Sequence, residues 1–338
     1  MSTWIAFHVT ERCGLTCLHC LRDPGKVPSE LPLDLVERLL DEARALHGIR
    51  HAGFTGGDPL LWPHLQGAID AVVKRSFTWH LVSSGMGFER LLAMLDADPA
   101  RQAALRTVDF SLDGATEASH DAIRGKGSWR ALMTAVAGCT ARGIPFELQA
   151  TLHARNQAEL EAIGLLAGEL GAKKVGLAMM SATGNPGDRE LYLAPDAWDR
   201  IADRIERLST LLTTTVVSFD GFRRGDRFHV CEPFRSVVLH VTPEGKLNLC
   251  CNHSGIAGRD EDVVADLRTT SLVDAHRALL GLIHRLERER LDEIAASPGA
   301  SPGWDDFPCN RCLKRLGKPY WIEGGSAGPR PGGAAGGG

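Results

Sequence analysis

The chain contains no apolar run approaching the ~20 residues that a bilayer-spanning helix needs, so nothing in it reads as a membrane span. It has no excess of positive charge either. The formal net charge is -4 over 338 residues, which provides no basic field to hold nucleic acid. The N-terminus lacks the basic start and apolar core of a signal peptide, so a cytoplasmic protein is expected. In that compartment the nine cysteines are reduced thiols, and their clustering argues for metal or redox chemistry over disulfides.

The cysteines do cluster. Directly after the apolar run Trp4-Ile5-Ala6-Phe7-His8-Val9 comes Cys13-Gly14-Leu15-Thr16-Cys17-Leu18-His19-Cys20. Three thiolates in C-x3-C-x2-C spacing can close around one face of a metal cluster and leave its fourth corner without a protein ligand. Structural zinc sites bring cysteines in C-x2-C pairs and complete four ligands, and ferredoxins supply four cysteines per cluster. A zinc knuckle, or three unrelated buried thiols, is the alternative reading of the spacing alone.

Through the first two hundred residues short β-like runs alternate with helical patterns. The strand candidates are residues 3–9, His51 to Phe54, Trp79 to Ser83, Val108 to Leu112, Phe146 to Leu152 and Val175 to Met179. The clearest helix places Leu35, Val36, Leu39, Leu40, Ala43 and Leu46 on one face. Such alternation predicts an α/β fold with a parallel sheet, and chemistry in such folds sits at the carboxyl ends of the strands. Polar or glycine-rich sequence duly follows each of the first four strands: the cysteine loop, Thr55-Gly56-Gly57-Asp58-Pro59, Ser83-Ser84-Gly85 and Ser111-Leu112-Asp113-Gly114. Glycines 56 and 57 would let backbone approach a ligand with no Cβ in the way. Gln149 and Thr151 share a face of the fifth strand, towards either a ligand or a solvated rim. Cys139 and Met179-Met180 read as core.

From Cys231 onward the character changes. Val237 to Val241 and Lys246 to Leu249 form a hairpin-like pair about Thr242-Pro243-Glu244-Gly245, a helical pattern runs from Leu267 to Ile294, and Pro308-Cys309-Asn310-Arg311-Cys312 follows. Cys231, Cys309, Cys312 and one of Cys250 and Cys251 make a second four-thiol set, for which four-cysteine zinc is the alternative occupant. Neighbours leaving a strand point to opposite sides, so the spare thiol of the pair is expected to face away, either packed in the core or free to give a hydrogen atom to a substrate radical. The tail from Gly324 reads as disordered.

The cysteine loop resembles the [4Fe-4S] loop of the radical S-adenosylmethionine (SAM) enzymes, and the chain from about 3 to 320 resembles members carrying a shortened SPASM, or twitch, extension. The resemblance implies a partial (β/α)6 barrel over residues 1–225, a twitch-like domain over 226–322 and a tail over 323–338. It implies two [4Fe-4S] clusters, one held by Cys13, Cys17 and Cys20 with SAM on its open iron, the other auxiliary. Gly56, Gly57 and Asp58 stand where the family has Gly-Gly-Glu at the SAM amino group. Ser83, Ser111, Asp113 and Arg124 match its SAM-contacting positions, and His19 the residue beside the adenine. Ser84 departs from the family's usual Asn. An electron donor such as flavodoxin or ferredoxin is implied as well. The short length and the Cys250-Cys251 pair look most like the aminoglycoside-tailoring members of the neomycin C epimerase type, with one cysteine as hydrogen-atom donor and Asp220, Asp226 and Glu232 as candidate sugar contacts. The alternatives are dehydrogenation of a sugar alcohol and peptide modification, the latter disfavoured by the absence of a clear peptide-binding extension at the N-terminus.

Overall fold

The computed structural model describes residues 3–22, 27–181, 188–213, 215–222, 230–254, 256, 260–297 and 306–318. In β1 (Trp4–Thr10), Ile5, Phe7 and Val9 are completely buried on one face while Trp4 and His8 on the other are only partly covered. This period of two, set by the pleat, recurs in β3 (Thr78–Ser83), β4 (Leu105–Ser111) and β5 (Phe146–Leu152). The apolar set faces the helices, so each strand's register is fixed by burial.

The strands of the first part are β1, β2 (His51–Gly56), β3, β4, β5, β6 (Lys174–Met179) and β7 (Val216–Asp220), each parallel to the next. The helices between them are α1 (Leu33–His47), α2 (Leu65–Lys74), α3 (Glu89–Ala97), α4 (Pro99–Ala104), α5 (Glu117–Arg124), α6 (Ser128–Arg142), α7 (Leu160–Glu169), α8 (Asp188–Leu191) and α9 (Pro195–Leu211). Helix α1 ends at Gly48 with φ +67°, a left-handed position suited to glycine. Cys139 and the two methionines are core, as expected.

The seventh strand, β7, was not among the six expected; its Val-Val-Ser-Phe-Asp run is short and Val216 is exposed. Asp220 therefore closes a strand rather than sitting in a loop.

The second part continues the same sheet. The expected hairpin is present as β8 (Val238–Val241) and β9 (Lys246–Asn248), followed by β10 (Val263–Asp266). Strand β8 lies parallel to β1, giving the order β10-β9-β8-β1-β2-β3-β4-β5-β6-β7. Among the described residues, helices α10 (Cys251–Ser254), the long α11 (Leu272–Ala296) and α12 (Pro308–Arg315) accompany them. Glu42 of α1 accepts the Leu272 N–H at 2.7 Å, satisfying one of the amides that the start of α11 leaves without a helical partner.

At the amino ends of the strands, Trp4, His51, His80 and His240 fill the space between them. Trp4 meets His80 edge-on at 5.0 Å between ring centroids, and His51 Nε2 and His80 Nδ1 share a hydrogen bond of 2.8 Å. Gly53 is needed there, since a Cβ would stand 2.4 Å from the His80 ring. The opposite, carboxyl ends of the strands carry the polar loops. Asp226 and the tail from Gly324 lie outside the described residues.

Candidate active site

The loop after β1 is held by the turn after β2. Gly57 N–H donates to Thr10 O at 2.6 Å and Asp58 N–H to Arg12 O at 2.7 Å. A Cβ on Gly56 would stand 2.3 Å from Thr10 O, and one on Gly57 2.1 Å from Arg12 O. Both neighbours are backbone and cannot swing away, so the two glycines serve a close approach to the cysteine loop itself. Leu18 N–H donates to Ile123 O at 3.0 Å, which ties the loop's far side to α5.

This loop presents Cys13, Cys17 and Cys20, all half-buried. Burial pushes the Cys17 thiol up to about 11; the neighbouring Arg124 guanidinium acts the other way, while Asp113 and the thiols of Cys20 and Cys13 add to the rise. Burial also raises Cys13. The three thiols are thus near enough to feel one another's charge. Among the described residues no three His, Cys, Asp or Glu side chains converge tightly enough for a single ion; a cube-shaped cluster holds its thiolates farther apart than one ion does.

Asp58 is buried and accepts from Ser84 Oγ at 2.7 Å, from Ser84 N–H at 3.2 Å, from Ser83 Oγ at 3.2 Å and from Leu60 N–H at 3.1 Å. Burial still raises its pKa, because the hydrogen bonds from Ser84, Leu60 and Ser83 do not fully replace water. Ser84, where an amide was expected, thus contributes two of the bonds.

Asp113, fully buried just beyond β4, joins three elements. Its Oδ2 meets His19 Nε2 at 2.7 Å and the Arg124 guanidinium, and its Oδ1 accepts Thr151 N–H at 2.8 Å. Burial opposes its ionisation, but Arg124 and His19 outweigh that and hold the carboxyl well below the usual carboxylate range. Arg124 Nη1 also reaches Cys17 Sγ at 3.9 Å, so one guanidinium faces both the carboxylate and a cluster-loop thiol. Ser111 ends β4 opposite Gln149 in the register. The Gln149 side chain lies over Gly176, where a Cβ would be 1.8 Å from its Oε1, so it points along the sheet's inner face and not to a rim.

Behind this hub stand residues the sequence did not single out. Asn156 donates to Asp113 O at 3.1 Å and Thr151 O at 2.9 Å, and accepts His153 N–H at 2.8 Å. His153 and His120 are both fully buried. The ring Nδ1 of each accepts a backbone N–H at 3.2 Å, from Arg155 and Asp113 respectively. The Nε2 atoms of both are buried without a hydrogen-bond partner. Only their place beside strand ends, among many histidines, could have drawn attention to them.

The thiols of the second group also lie near enough to feel one another's charge. Burial pushes Cys309 up to about 12, helped by the nearby Cys231, Asp220 and Cys251. Burial raises Cys312, with Cys231 and Cys309 adding to it. Gly221 leaves space there, its would-be Cβ lying 3.5 Å from Cys309 Sγ. Cys250 and Cys251 do not point apart. Their thiols hydrogen-bond each other, which raises Cys250, and the charges of both reach Cys309. Strand alternation does not apply because Cys250 has already left β9 and Cys251 opens α10.

Three half-buried thiols beside a guanidinium, and next to them two buried imidazole N–H groups with nothing to bond, suit an iron–sulfur cluster with an organic ligand at its open side. The fold and this arrangement are those of a class, the radical SAM superfamily, whose family model matches residues 7–166. The family implies SAM and a [4Fe-4S] cluster. The chain is 36% identical over 253 residues to a PqqA peptide cyclase of Ruegeria pomeroyi, covering 72% of this chain and 66% of that protein. It is 29% identical over 172 residues to the mycofactocin maturase MftC of Mycobacterium tuberculosis, covering 50% and 42%. It thus spans just under two thirds of the first relative and less than half of the second. The fold is shared with Streptococcus suis SuiB, solved with its precursor peptide SuiA (TM-score 0.66, 12% identity, 83% of this chain and 66% of that one). It is also shared with anSMEcpe, solved with AdoMet and a peptide (TM-score 0.64, 13% identity, 93% and 90%). No helix among the described residues is long and apolar enough to cross a membrane.

Proposed function

We propose that this chain is a radical SAM enzyme acting on a peptide. The observation that carries the substrate class is the 36% identity to a peptide cyclase. The aminoglycoside reading gives way, because the relative named first above is a peptide cyclase.

Cys13, Cys17 and Cys20 would hold the SAM-binding [4Fe-4S] cluster. Together, that cluster and SAM supply a 5′-deoxyadenosyl radical able to remove a hydrogen atom from an unactivated C–H bond. Around it the chain's residues orient and shield. Gly56 and Gly57 brace the cysteine loop. Asp58, held by Ser83 and Ser84, offers a buried carboxylate to the SAM ammonium, whose positive charge it lacks. Arg124, pinned by Asp113, keeps positive charge at Cys17 and within reach of the SAM carboxylate. His19 is fixed by the same Asp113, and Ser111 lines the inner face beside it.

Residues 226–322 form the auxiliary domain on this reading, beside a core of 1–225. Cys231, Cys309, Cys312 and Cys250 hold a second [4Fe-4S] cluster there, with Cys251 as the exposed, spare thiol. A low-potential flavodoxin or ferredoxin supplies the electron.

The test is anaerobic incubation of the reconstituted, reduced protein with SAM in D2O against candidate precursor peptides and an aminoglycoside panel. Peptide-dependent 5′-deoxyadenosine with loss of two hydrogens from the peptide supports cross-linking or oxidation. A one-deuteron gain on an aminoglycoside would return the epimerase reading. Iron near eight per chain supports two clusters; about four irons with one zinc would make the second site structural.

A further inference from the structure

One of the two buried imidazoles near the cysteine loop whose Nε2 has no partner is His153. It follows β5, is 0% exposed, and its ring lies 5.8 Å from the ring of His19, centroid to centroid. Its tautomer follows from its bonds. The Arg155 N–H can only donate, so the Nδ1 that receives it at 3.2 Å is the bare nitrogen. A neutral imidazole then carries its proton on Nε2. Burial pushes the ring's pKa down to about 4, with His19 lowering it further and Asp113 opposing, so it is uncharged at neutral pH. The Nε2–H therefore stands buried with no acceptor, on the ring edge away from the turn that holds Nδ1. Leaving such a donor unpaired is unfavourable, and a native protein that keeps one has a use for it.

We propose that His153 is a SAM-binding residue, its Nε2–H donating to an acceptor on the SAM nucleoside, either a ring nitrogen of the adenine or a ribose oxygen. His19, which it faces at 5.8 Å, immediately precedes Cys20, so the two rings stand together at the cluster loop. The Asn156 bond to His153 N–H and the Thr151–Asp113 bond hold the ring in register with His19 and Arg124. The proposal rests on the radical SAM reading of the site but not on the peptide substrate.

The test uses the full chain, reconstituted anaerobically, as wild type, His153→Phe and His153→Gln. SAM affinity is measured by equilibrium dialysis, alongside iron content and the thermal midpoint without SAM. His153→Phe should weaken SAM roughly tenfold with iron content intact. Its SAM-free midpoint should change little, since losing the unpaired Nε2–H offsets losing the Nδ1 bond to Arg155 N–H. His153→Gln, which places an N–H near Nε2, should recover most of the affinity. Deaza-adenine and deoxyribose analogues of SAM identify the acceptor: the Phe penalty should vanish for the one analogue that lacks it. Affinity within twofold of wild type in His153→Phe overturns the proposal. So does weakened SAM binding with a lowered midpoint and no recovery in Gln, which would mark a structural role. A wild type that carries iron yet binds no SAM would overturn the radical SAM reading itself, and this proposal with it.

Discussion

Replacing Asp113 by Asn tests the hub of the site directly. Asp113 is fully buried, and its Oδ2 faces two donors, His19 Nε2 and the Arg124 guanidinium, while Oδ1 takes the Thr151 N–H. In Asn, one orientation keeps the Thr151 bond but turns an NH2 towards both donors. The other loses the Thr151 bond. Either way the Arg124 charge, only 11% exposed, is left without its counter-charge. Breaking a buried pair from one side costs about 3–5 kcal/mol. For a chain of this length that lowers the thermal midpoint by roughly 4–7 °C. Urea unfolding with SAM absent gives the value; Arg124→Gln and the double variant complete a cycle with a coupling of about 1–3 kcal/mol. The pH dependence has a defined sign. Because the folded pKa is depressed, the stabilisation is present above the unfolded value of about 4 and is lost as pH falls towards the folded one. The variant should lack that acid-side slope. A cost below about 1 kcal/mol, with additive single variants, would refute the hub.

Gly57→Ala should be severe, since its Cβ meets Arg12 O at 2.1 Å; iron retention after gel filtration should fall sharply, and full retention would contradict the bracing role. Ser84→Ala removes the 2.7 Å bond to Asp58 and should cost about 1–3 kcal/mol, most of it at pH values where Asp58 is ionised; equal losses at pH 4 and pH 8 would count against it. His120, His153, His240 and His253 are buried, and each is pushed to about 4, chiefly by burial. Their folded pKa values lie below the unfolded ~6.5, so stability is complete above that pH and falls as pH drops from ~6.5 towards 4, by up to about 5 kcal/mol at pH 5.5. Denaturant unfolding at pH 7.5 and 5.5 would contradict this if the two agreed within about 1 kcal/mol.

The strands were the most legible part of the molecule. Phe146 to Leu152 was found at its full extent because its alternating face is buried without interruption, and the polar loops following β1 to β4 mark the reactive end of the sheet. The parts that were not legible depend on partners distant in sequence. His19 and Asp113 are 94 residues apart, and Asn156 reaches back 43 to Asp113; no local pattern announces such pairs. Gly56 and Gly57 were recognised as close-approach glycines, but which backbone they approach is a property of the packed loops. The adjacent cysteines were placed by strand geometry, but the strand ends at Asn248, two residues before the first of them. β7, partly exposed and short, lacks the apolar density that made its neighbours visible.

On the reading proposed above, the loop of Cys13, Cys17 and Cys20 supports reductive SAM cleavage. The most direct measurement is 5′-deoxyadenosine formed by the anaerobically reconstituted, dithionite-reduced chain with SAM alone, compared with Cys17→Ala. The wild type should form 5′-deoxyadenosine and methionine, and the variant neither. A chain that binds zinc in place of iron at this loop and leaves SAM intact would contradict it.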